Sequence, residues 1–241
     1  MLWNILDTGI ATAKQNMAID QDLLQNIKHG DAGILHFYDW VGDSATYGYF
    51  IDPYTYLNQQ AVKGKKLNLA RRPTGGGIIF HLFDMAFSIL IPVGHPGFSV
   101  NTLDNYAYVN NIVGQAVYRF SKGLAIPELQ TTEFQPLDNS SSNFCMANPT
   151  KYDVMVNGLK VGGGAQRRAK QGYLHQGSVS LTMPSREYLQ DILLSDTCVY
   201  ESMCKHSYLL LGLSSSSKQL KEAKIELRQF IIEASSSQDL R

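Results

Sequence analysis

Apolar residues recur every three or four positions in several parts of the chain, which is the spacing of one helical face. In Asn16–Ile27 the apolar residues include Met17, Leu24 and Ile27, with polar residues such as Asp20 between them. The same spacing predicts helices over Tyr54–Lys63, Val100–Lys122 and Lys218–Ile232. We expect the tail, Ala234–Arg241, to be frayed.

Shorter stretches rich in β-branched and aromatic residues predict strands between these helices. The clearest signal is Asn157-Gly158, which predicts a tight hairpin turn between two of them. Hairpins outnumber strand–helix alternation, so the sequence predicts an α+β (mixed α/β) fold and not a doubly wound sheet. The predicted strands are Ile34–Trp40, Ser44–Phe50, Leu67–Arg72, one or two within Ile78–Ile91, one followed by a loop within Leu124–Asn143, then Tyr152–Val156, Leu159–Val161 and Leu174–Leu181.

The composition is that of an ordinary globular chain of 241 residues, 44% apolar and 17% charged. The 21 basic and 21 acidic residues cancel, so no global field would attract nucleic acid or an acidic membrane. No apolar run is long enough to span a bilayer, and 1–15 does not resemble a signal peptide. Three cysteines do not form a disulfide framework. We therefore expect a cytoplasmic protein without nucleic-acid or membrane partners.

The first stretch with candidate chemistry is Gly75–Gly77, which follows Arg71-Arg72 and precedes His81. Consecutive glycines allow a tight turn whose amides approach a ligand, and forked guanidinium donors suit an anion. The alternative is a glycine-rich hairpin with solvated arginines. The stretch is neither a Walker loop nor a dinucleotide fingerprint.

A second stretch repeats this order, with Lys160 before Gly162–Gly164 and then Arg167-Arg168. Two such stretches favour a composite site for an anion and a carbonyl. The alternative for Lys160 is a surface lysine on a hairpin, the commonest fate of this residue type. His175 is more typical of a core histidine satisfied by hydrogen bonds.

Together these motifs resemble the lipoate–protein ligase A/octanoyltransferase superfamily, which contains the biotin/lipoate protein ligase catalytic domain. The resemblance implies a catalytic fold related to class II aminoacyl-tRNA synthetases, with mixed sheets flanked by helices. It implies a catalytic core over 1–184, with a helical segment, 185–241, packed on the same domain. The motifs are Arg71-Arg72-x-x-Gly-Gly-Gly-x-x-x-His81, Lys160-x-Gly-x-x-Ala-Gln-Arg167 and His175-x-Gly-Ser178.

Members of this superfamily attach lipoate or its octanoyl precursor to a lysine of a lipoyl carrier domain. The resemblance implies that Lys160 contacts the acyl carbonyl and phosphate and that Arg72 and Gly75–Gly77 line the acyl and adenylate pocket. Asp84 follows His81 at the third position, where the family often has Asp directly after His. Gly163 and Gly164 stand where the family commonly has small or hydroxyl residues. The implied substrate-binding residues are Arg72, Gly75, Gly76, Gly77, Ile78, Ile79, Phe80, His81, Gly162, Gly163, Ala165 and His175.

Cys145 bears on which of the superfamily's two chemistries the chain performs. Its surroundings, Asn143–Asp153, resemble the cysteine loop of the transferases, and the Lys160 ammonium would stabilise its thiolate. The prediction is octanoyl transfer from an acyl carrier protein through a Cys145 thioester. An alternative is a ligase that uses ATP and Mg to form a lipoyl-adenylate, with Cys145 structural. A non-catalytic binder of lipoate or of the carrier domain is a third possibility. A biotin ligase is a weaker one, because its Gly-Arg-Gly-Arg segment is absent.

The resemblance also implies the acceptor. It would be an acidic lipoyl carrier domain that presents a lysine, either the glycine cleavage H protein or a dehydrogenase E2 domain.

Overall fold

The computed structural model describes residues 3–132, 135, 137, 138, 140–194 and 197–238. Ten strands and six α-helices occur within these ranges. The strands are β1 (Trp3–Ala11), β2 (Gly33–Trp40), β3 (Ser44–Tyr47), β4 (Asn68–Arg71), β5 (Ile78–His81), β6 (Asp84–Pro92), β7 (Pro127–Leu129), β8 (Val154–Val156), β9 (Leu159–Ala169) and β10 (Gly172–Ser180). The helices are α1 (Ala13–Asn26), α2 (Gln59–Gly64), α3 (Thr102–Phe120), α4 (Arg186–Ile192), α5 (Val199–His206) and α6 (Ser217–Gln238).

The strands form two sheets. The larger has the order β1-β2-β6-β10-β9-β8-β7, and the smaller has the order β4-β3-β5. Parallel pairing occurs between β1 and β2 and between β3 and β4, whereas the other pairs are antiparallel. These mixed sheets with segregated helices confirm the predicted α+β class.

Helices α3 and α6 share the main core with the large sheet. Ile112 of α3 and Leu227 and Ile231 of α6 are fully buried there, in one apolar cluster with Phe87 and Tyr173. A second cluster packs α4 and α5 against the small sheet, around Ile78, Phe80 and Phe144. Strand β5 therefore has apolar packing on one side and is free to present residues such as Ile79 on the other.

The tail prediction was wrong for residues 234–238. Helix α6 continues to Gln238, and Ala234 and Ser235 are fully buried because the helix packs along α3. The remainder of the predicted tail, 239–241, lies outside the described residues, as do 133, 134, 136 and 139 of the predicted loop in Leu124–Asn143.

The predicted helix Tyr54–Lys63 is broken into two short pieces. A 3-10 turn covers Pro53–Thr55, and α2 then begins afresh. The break occurs at Asn58, whose side chain accepts hydrogen bonds from the amides of Gln60 and Ala61 and so caps a new helix. Strand β1 was not predicted from the sequence. It lies at the edge of the large sheet, where its outward residues are polar or exposed.

The predicted hairpin at Asn157-Gly158 is confirmed. Both residues have positive φ, 53° and 74°, as a two-residue turn of this kind requires. A register shift follows between Val154 and Met155, so that Val154 pairs with Gly162 and Lys160 pairs with Met155. In the described part of the chain, we find no helix long and apolar enough to cross a bilayer.

Candidate active site

A cavity of about 180 Å³ opens where the small sheet meets β9 and β10. Its apolar wall is formed by Met17, Tyr38, Trp40, Ile79 and Met146. Its polar wall contains Arg72, His81, Cys145, Lys160 and Gln176, together with glycines of both predicted clusters. The two glycine stretches, nearly ninety positions apart in the sequence, thus meet across one cavity.

The first glycine stretch is a turn held by Arg72. The guanidinium Nη2 donates to the carbonyl oxygens of Gly75 and Gly77 at 3.0 and 2.8 Å, and Nη1 donates to Thr46 Oγ1 at 2.9 Å. Arg72 is only 5% exposed. The forked geometry of the guanidinium lets one side chain close the turn and anchor it to β3.

A line of hydrogen bonds continues from Arg72 to β10. Thr46 Oγ1 lies 2.8 Å from His81 Nε2, and His81 Nδ1 lies 2.8 Å from Asp84 Oδ2, which also accepts from Ser178 Oγ at 2.7 Å. Burial raises the pKa of Asp84, but the charge and hydrogen bond of His81 outweigh it and the pKa is lowered. The carboxylate three residues after His81 therefore orients the imidazole.

Cys145 lies on a loop that is docked onto β5. Its amide donates to the carbonyl of Ile78 at 2.9 Å, and the adjacent Phe144 is buried in the second apolar cluster. Gly77 makes this approach possible, because a Cβ there would lie 2.1 Å from the carbonyl oxygen of Asn143. The sulfur is half-buried on the cavity wall, 3.9 Å from Arg72 Nη2.

Lys160 contacts the cysteine loop from β9, whereas β5 contacts it through Ile78. Its Nζ lies 2.7 Å from Asp153 Oδ2 and donates to the backbone carbonyl of Cys145 at 2.7 Å. Asp153 also accepts from the amide and hydroxyl of Thr150 at 2.6 and 3.0 Å. Gly163 leaves the room for this pair, since a Cβ there would lie 2.1 Å from Asp153 Oδ1. The lysine is thus tied to the cysteine loop directly, through the Cys145 carbonyl, and indirectly, through the Asp153 carboxylate.

Behind the turn lies a second buried network, centred on Asp20 of α1. Its carboxylate lies 2.8 Å from His36 Nδ1 and accepts from Ser88 and Gln176 at 2.6 Å each. Gln176 in turn accepts a 2.7 Å hydrogen bond from Thr74 in the glycine turn. Because each of these side chains is buried and paired, the network fixes the turn against β10 and α1.

Comparison with known proteins adds to this geometry. Residues 12–220 match the family model described as the lipoyl protein ligase A/B catalytic domain. The chain belongs to that family.

Known proteins are similar to the chain, one of them in sequence and two in fold. Octanoyltransferase LipM from Staphylococcus epidermidis is 30% identical over 198 residues, which are 81% of this chain and 68% of that protein. A bi-partite lipoate protein ligase from Thermoplasma acidophilum, studied with its E2 lipoyl domain, has a TM-score of 0.68 at 19% identity and covers 97% of this chain and 84% of its own. A lipoate-protein ligase A bound with ATP has a TM-score of 0.68 at 20% identity, covering 97% and 86%. The two structures support the fold alone.

Several residues that the family motifs suggested lie together at the cavity. Lys160 and Cys145, the two catalytic candidates, both line it. The predicted substrate-binding residues that also line it are Arg72, Gly76, Gly77, Ile79, His81, Gly163 and Ala165.

The other predicted substrate-binding residues are not placed on the cavity wall. Ile78 and Phe80 point into the apolar cluster behind β5. Gly75 contributes only a carbonyl to Arg72, and Gly162 pairs with Val179 in the sheet. His175 is fully buried, its Nδ1 accepts a hydrogen bond from Gln166 Nε2 at 2.9 Å, and burial lowers its pKa to about 3. It is buried in the core, as the sequence favoured, but within the described residues only its Nδ1 is hydrogen-bonded and its Nε2 has no partner.

Some residues that shape the site were not singled out from the sequence. Asp153 has a local signal, because it directly precedes β8, which the Asn157-Gly158 hairpin pairs with the strand that contains Lys160. Asp20 has another, since it lies three residues after Met17 and four before Leu24, on the apolar face of α1. Thr46 and Gln176 have no such signal, because their partners are distant in sequence.

No metal site accompanies this arrangement in the described residues. Within 3–132, 135, 137, 138, 140–194 and 197–238, no group of three or more His, Cys, Asp or Glu side chains could hold a metal ion. The polar groups on the cavity wall include the Cys145 thiol, the Lys160 ammonium, the Arg72 guanidinium and the His81 imidazole.

Proposed function

We propose that this protein transfers an octanoyl group from an acyl-carrier thioester to a lysine of a lipoyl domain, through an acyl thioester on Cys145. The observation that carries the proposal is the shared cavity of the Cys145 thiol and the Lys160 ammonium, bounded by an apolar wall. The similarity to octanoyltransferase LipM supports the same chemistry. Attachment of a lipoyl-type acyl group to a carrier lysine is the activity of this family of enzymes.

The apolar wall suits a linear saturated chain. Met17, Ile79 and Met146 are flexible or branched aliphatic side chains, and Trp40 stacks on His81 at 4.1 Å between ring centroids. The Tyr38 hydroxyl is turned away to Ser88, at 3.2 Å, so the ring presents an apolar surface to the cavity. Burying the methylenes of an octanoyl chain here would contribute about 0.8 kcal/mol each.

The first half-reaction forms the acyl-enzyme. The Cys145 thiolate attacks the carbonyl carbon of the donor thioester, the new carbon–sulfur bond forms, and the bond to the carrier's sulfur breaks. The proton of the Cys145 thiol ends on the carrier thiol that leaves. Lys160 has three N–H donors, of which two contact Asp153 and the Cys145 carbonyl, which leaves one for the acyl carbonyl oxygen.

The second half-reaction forms the amide. The ε-amine of the acceptor lysine attacks the acyl carbon, the carbon–sulfur bond to Cys145 breaks, and the amine proton returns to the thiolate. The acceptor proposed for this step is a lipoyl domain of the dehydrogenase E2 type or the H protein of glycine cleavage. A structurally similar ligase is paired with an E2 lipoyl domain, which supports the first of these.

The alternative, ATP-dependent ligation with a lipoyl-adenylate, needs cationic donors for a phosphate. A structurally similar ligase binds ATP. In this chain, however, the buried guanidinium of Arg72 already contacts Thr46 and two carbonyls, and the Lys160 ammonium beside Asp153 has a single donor left for a ligand. This engagement favours the thioester route over a route that uses ATP and Mg.

The two routes are separated by one experiment. The protein is incubated with an apo E2 lipoyl domain and either octanoyl-carrier protein or lipoate with Mg-ATP, each with wild type and Cys145→Ala, and products are read by intact-protein mass spectrometry. We expect modification of the lipoyl domain only in the octanoyl arm, and no product with Cys145→Ala. Without acceptor, the wild-type enzyme should carry an octanoyl adduct of about 126 Da.

ATP-dependent modification that survives Cys145→Ala would instead establish the ligase route. A Lys160→Ala variant with full activity in both arms would show that Lys160 has no role in the reaction. Binding of the lipoyl domain without any modification in either arm would favour the non-catalytic binder.

A further inference from the structure

We infer that a small basic and aromatic surface at the rim of the cavity is the docking site for the acidic acceptor lipoyl domain. This rim surface consists of Tyr49, Phe50, Arg71 and Arg167. The inference rests on the proposed function, because it assigns the acceptor of that same reaction to a place on the molecule.

The rim surface is compact. The guanidinium carbons of Arg71 and Arg167 lie 5.5 and 5.6 Å from the centroid of one ring, that of Tyr49. The Phe50 ring packs on Tyr49 with its edge, at 5.2 Å between centroids. Phe50 is 90% exposed and Tyr49 is 46% exposed. Exposed aromatic rings beside arginines have the composition of a protein-binding surface.

Its charge is unbalanced. In the described part of the chain, neither Arg71 nor Arg167 has a carboxylate within 4.0 Å, although other exposed arginines such as Arg119 and Arg186 do. The formal net charge of the chain is zero, so two like charges held on one ring form a local positive patch. Such a patch is complementary to an acidic surface on the partner.

The rim surface lies directly outside the glycine turn. The Tyr49 amide donates to the carbonyl of Thr74 at 2.9 Å, and Arg167 Nη1 donates to the carbonyl of Pro73 at 3.1 Å. On the inner side of the same turn, a Cβ at Gly76 would lie 3.7 Å from Cys145 Sγ. One turn of backbone therefore separates the rim surface from the nucleophile.

This closeness favours the acceptor over the donor as the occupant. The acceptor amine stands on a four-carbon stem, so its domain must dock beside the cavity. A donor that carries its thioester on a long prosthetic arm has no need of such close contact. The rim surface is also joined to β9 through Arg167, which keeps it at a fixed position relative to Lys160 on the same strand.

The test compares the wild type with the double variant Arg71→Glu/Arg167→Glu and with Lys218→Glu, an exposed charge reversal on α6 as the control. An apo E2 lipoyl domain is titrated into each protein by calorimetry at low and high salt, and KM and kcat for that domain are measured. Acylation of Cys145 by octanoyl-carrier protein without acceptor is followed by mass spectrometry, which reports a folded, competent site.

We expect the double variant to raise Kd and KM for the lipoyl domain about tenfold or more, with kcat and Cys145 acylation within about twofold of wild type. Wild-type affinity should weaken with added salt, and Lys218→Glu should behave as wild type. If the double variant fails to fold, Arg71→Gln/Arg167→Gln replaces it, with a smaller change in the same direction.

Unchanged Kd and KM in the charge variants would overturn the inference. Slower Cys145 acylation with unchanged affinity for the lipoyl domain would also overturn it, because the rim surface would then serve the donor. A wild type that never acylates Cys145 would refute the proposed function. The docking site would still be tested, because the calorimetric Kd for the lipoyl domain does not depend on turnover.

Discussion

The ammonium of Lys160 donates a 2.7 Å hydrogen bond to the backbone carbonyl of Cys145, the residue proposed as nucleophile. The same ammonium lies 2.7 Å from Asp153, and both members of this ion pair are at most 5% exposed. The contact fixes the lysine and the cysteine loop relative to each other before any substrate binds. Such preorganisation lowers the cost of stabilising charge on the acyl oxygen.

The buried ion pair makes the first prediction. Asp153→Ala leaves a buried ammonium without its carboxylate, so it should lower the free energy of unfolding by about 3–5 kcal/mol. Asp153→Ala/Lys160→Met removes both charges and should recover at least half of that loss. Urea denaturation of the three proteins measures this. A cost below about 1 kcal/mol for Asp153→Ala would show that water reaches the lysine.

The second prediction concerns the glycine turn. Gly77→Ala places a Cβ 2.1 Å from the Asn143 carbonyl oxygen and must push the cysteine loop away from β5. Displacing a nucleophile by about 1 Å costs roughly 100-fold in rate, so we expect a loss of that order in octanoyl transfer. Gly75→Ala is the matched control, because nothing lies within 4 Å of its Cβ and its φ is not positive. Equal rates for the two variants would contradict the close approach.

The third prediction concerns Arg72. Arg72→Lys keeps the charge, but its single nitrogen cannot occupy the positions of both Nη1 and Nη2, so Thr46 or the carbonyls of Gly75 and Gly77 lose a partner. We expect a loss of about 1–3 kcal/mol in unfolding free energy. The neighbouring Arg71→Lys, at an exposed position, should change it by less than about 0.5 kcal/mol. Chemical denaturation distinguishes the two, and similar values for both would show that the turn does not depend on the forked donor.

The fourth prediction concerns His175 and the pH dependence of stability. Burial lowers its pKa from 6.5 to about 3, so between these values the unfolded chain binds the proton and the folded chain does not. His175 therefore does not reduce the free energy of unfolding above pH 6.5. As pH falls from 6.5 towards 3, the free energy of unfolding decreases by about 1.4 kcal/mol per pH unit at most.

A His175→Gln variant should flatten that part of the pH–stability curve, because it removes the group whose pKa differs between the folded and unfolded chain. Denaturation midpoints between pH 4 and 7 provide the measurement. A wild type with constant stability across this range would show that the imidazole is protonated without cost.

The sequence by itself determined the local features of this protein. The spacing of apolar residues located α1, α3 and α6, because helical periodicity is a property of neighbouring residues. Asn157-Gly158 determined its hairpin, because few other residues adopt positive φ at both positions. The glycine stretches and Lys160 identified the family, because their chemistry depends on residue type and spacing.

Only the tertiary structure decided how these pieces form a site. Thr74 meets Gln176 across 102 residues, and Arg72 approaches Cys145 across 73. The orientation of His81 by Asp84, the burial of Asp20 and the position of His175 away from the cavity wall also depend on how β6 and β10 pack. Pairing between distant strands is set by the burial of whole faces and by the satisfaction of buried polar groups, neither of which a local stretch of sequence contains.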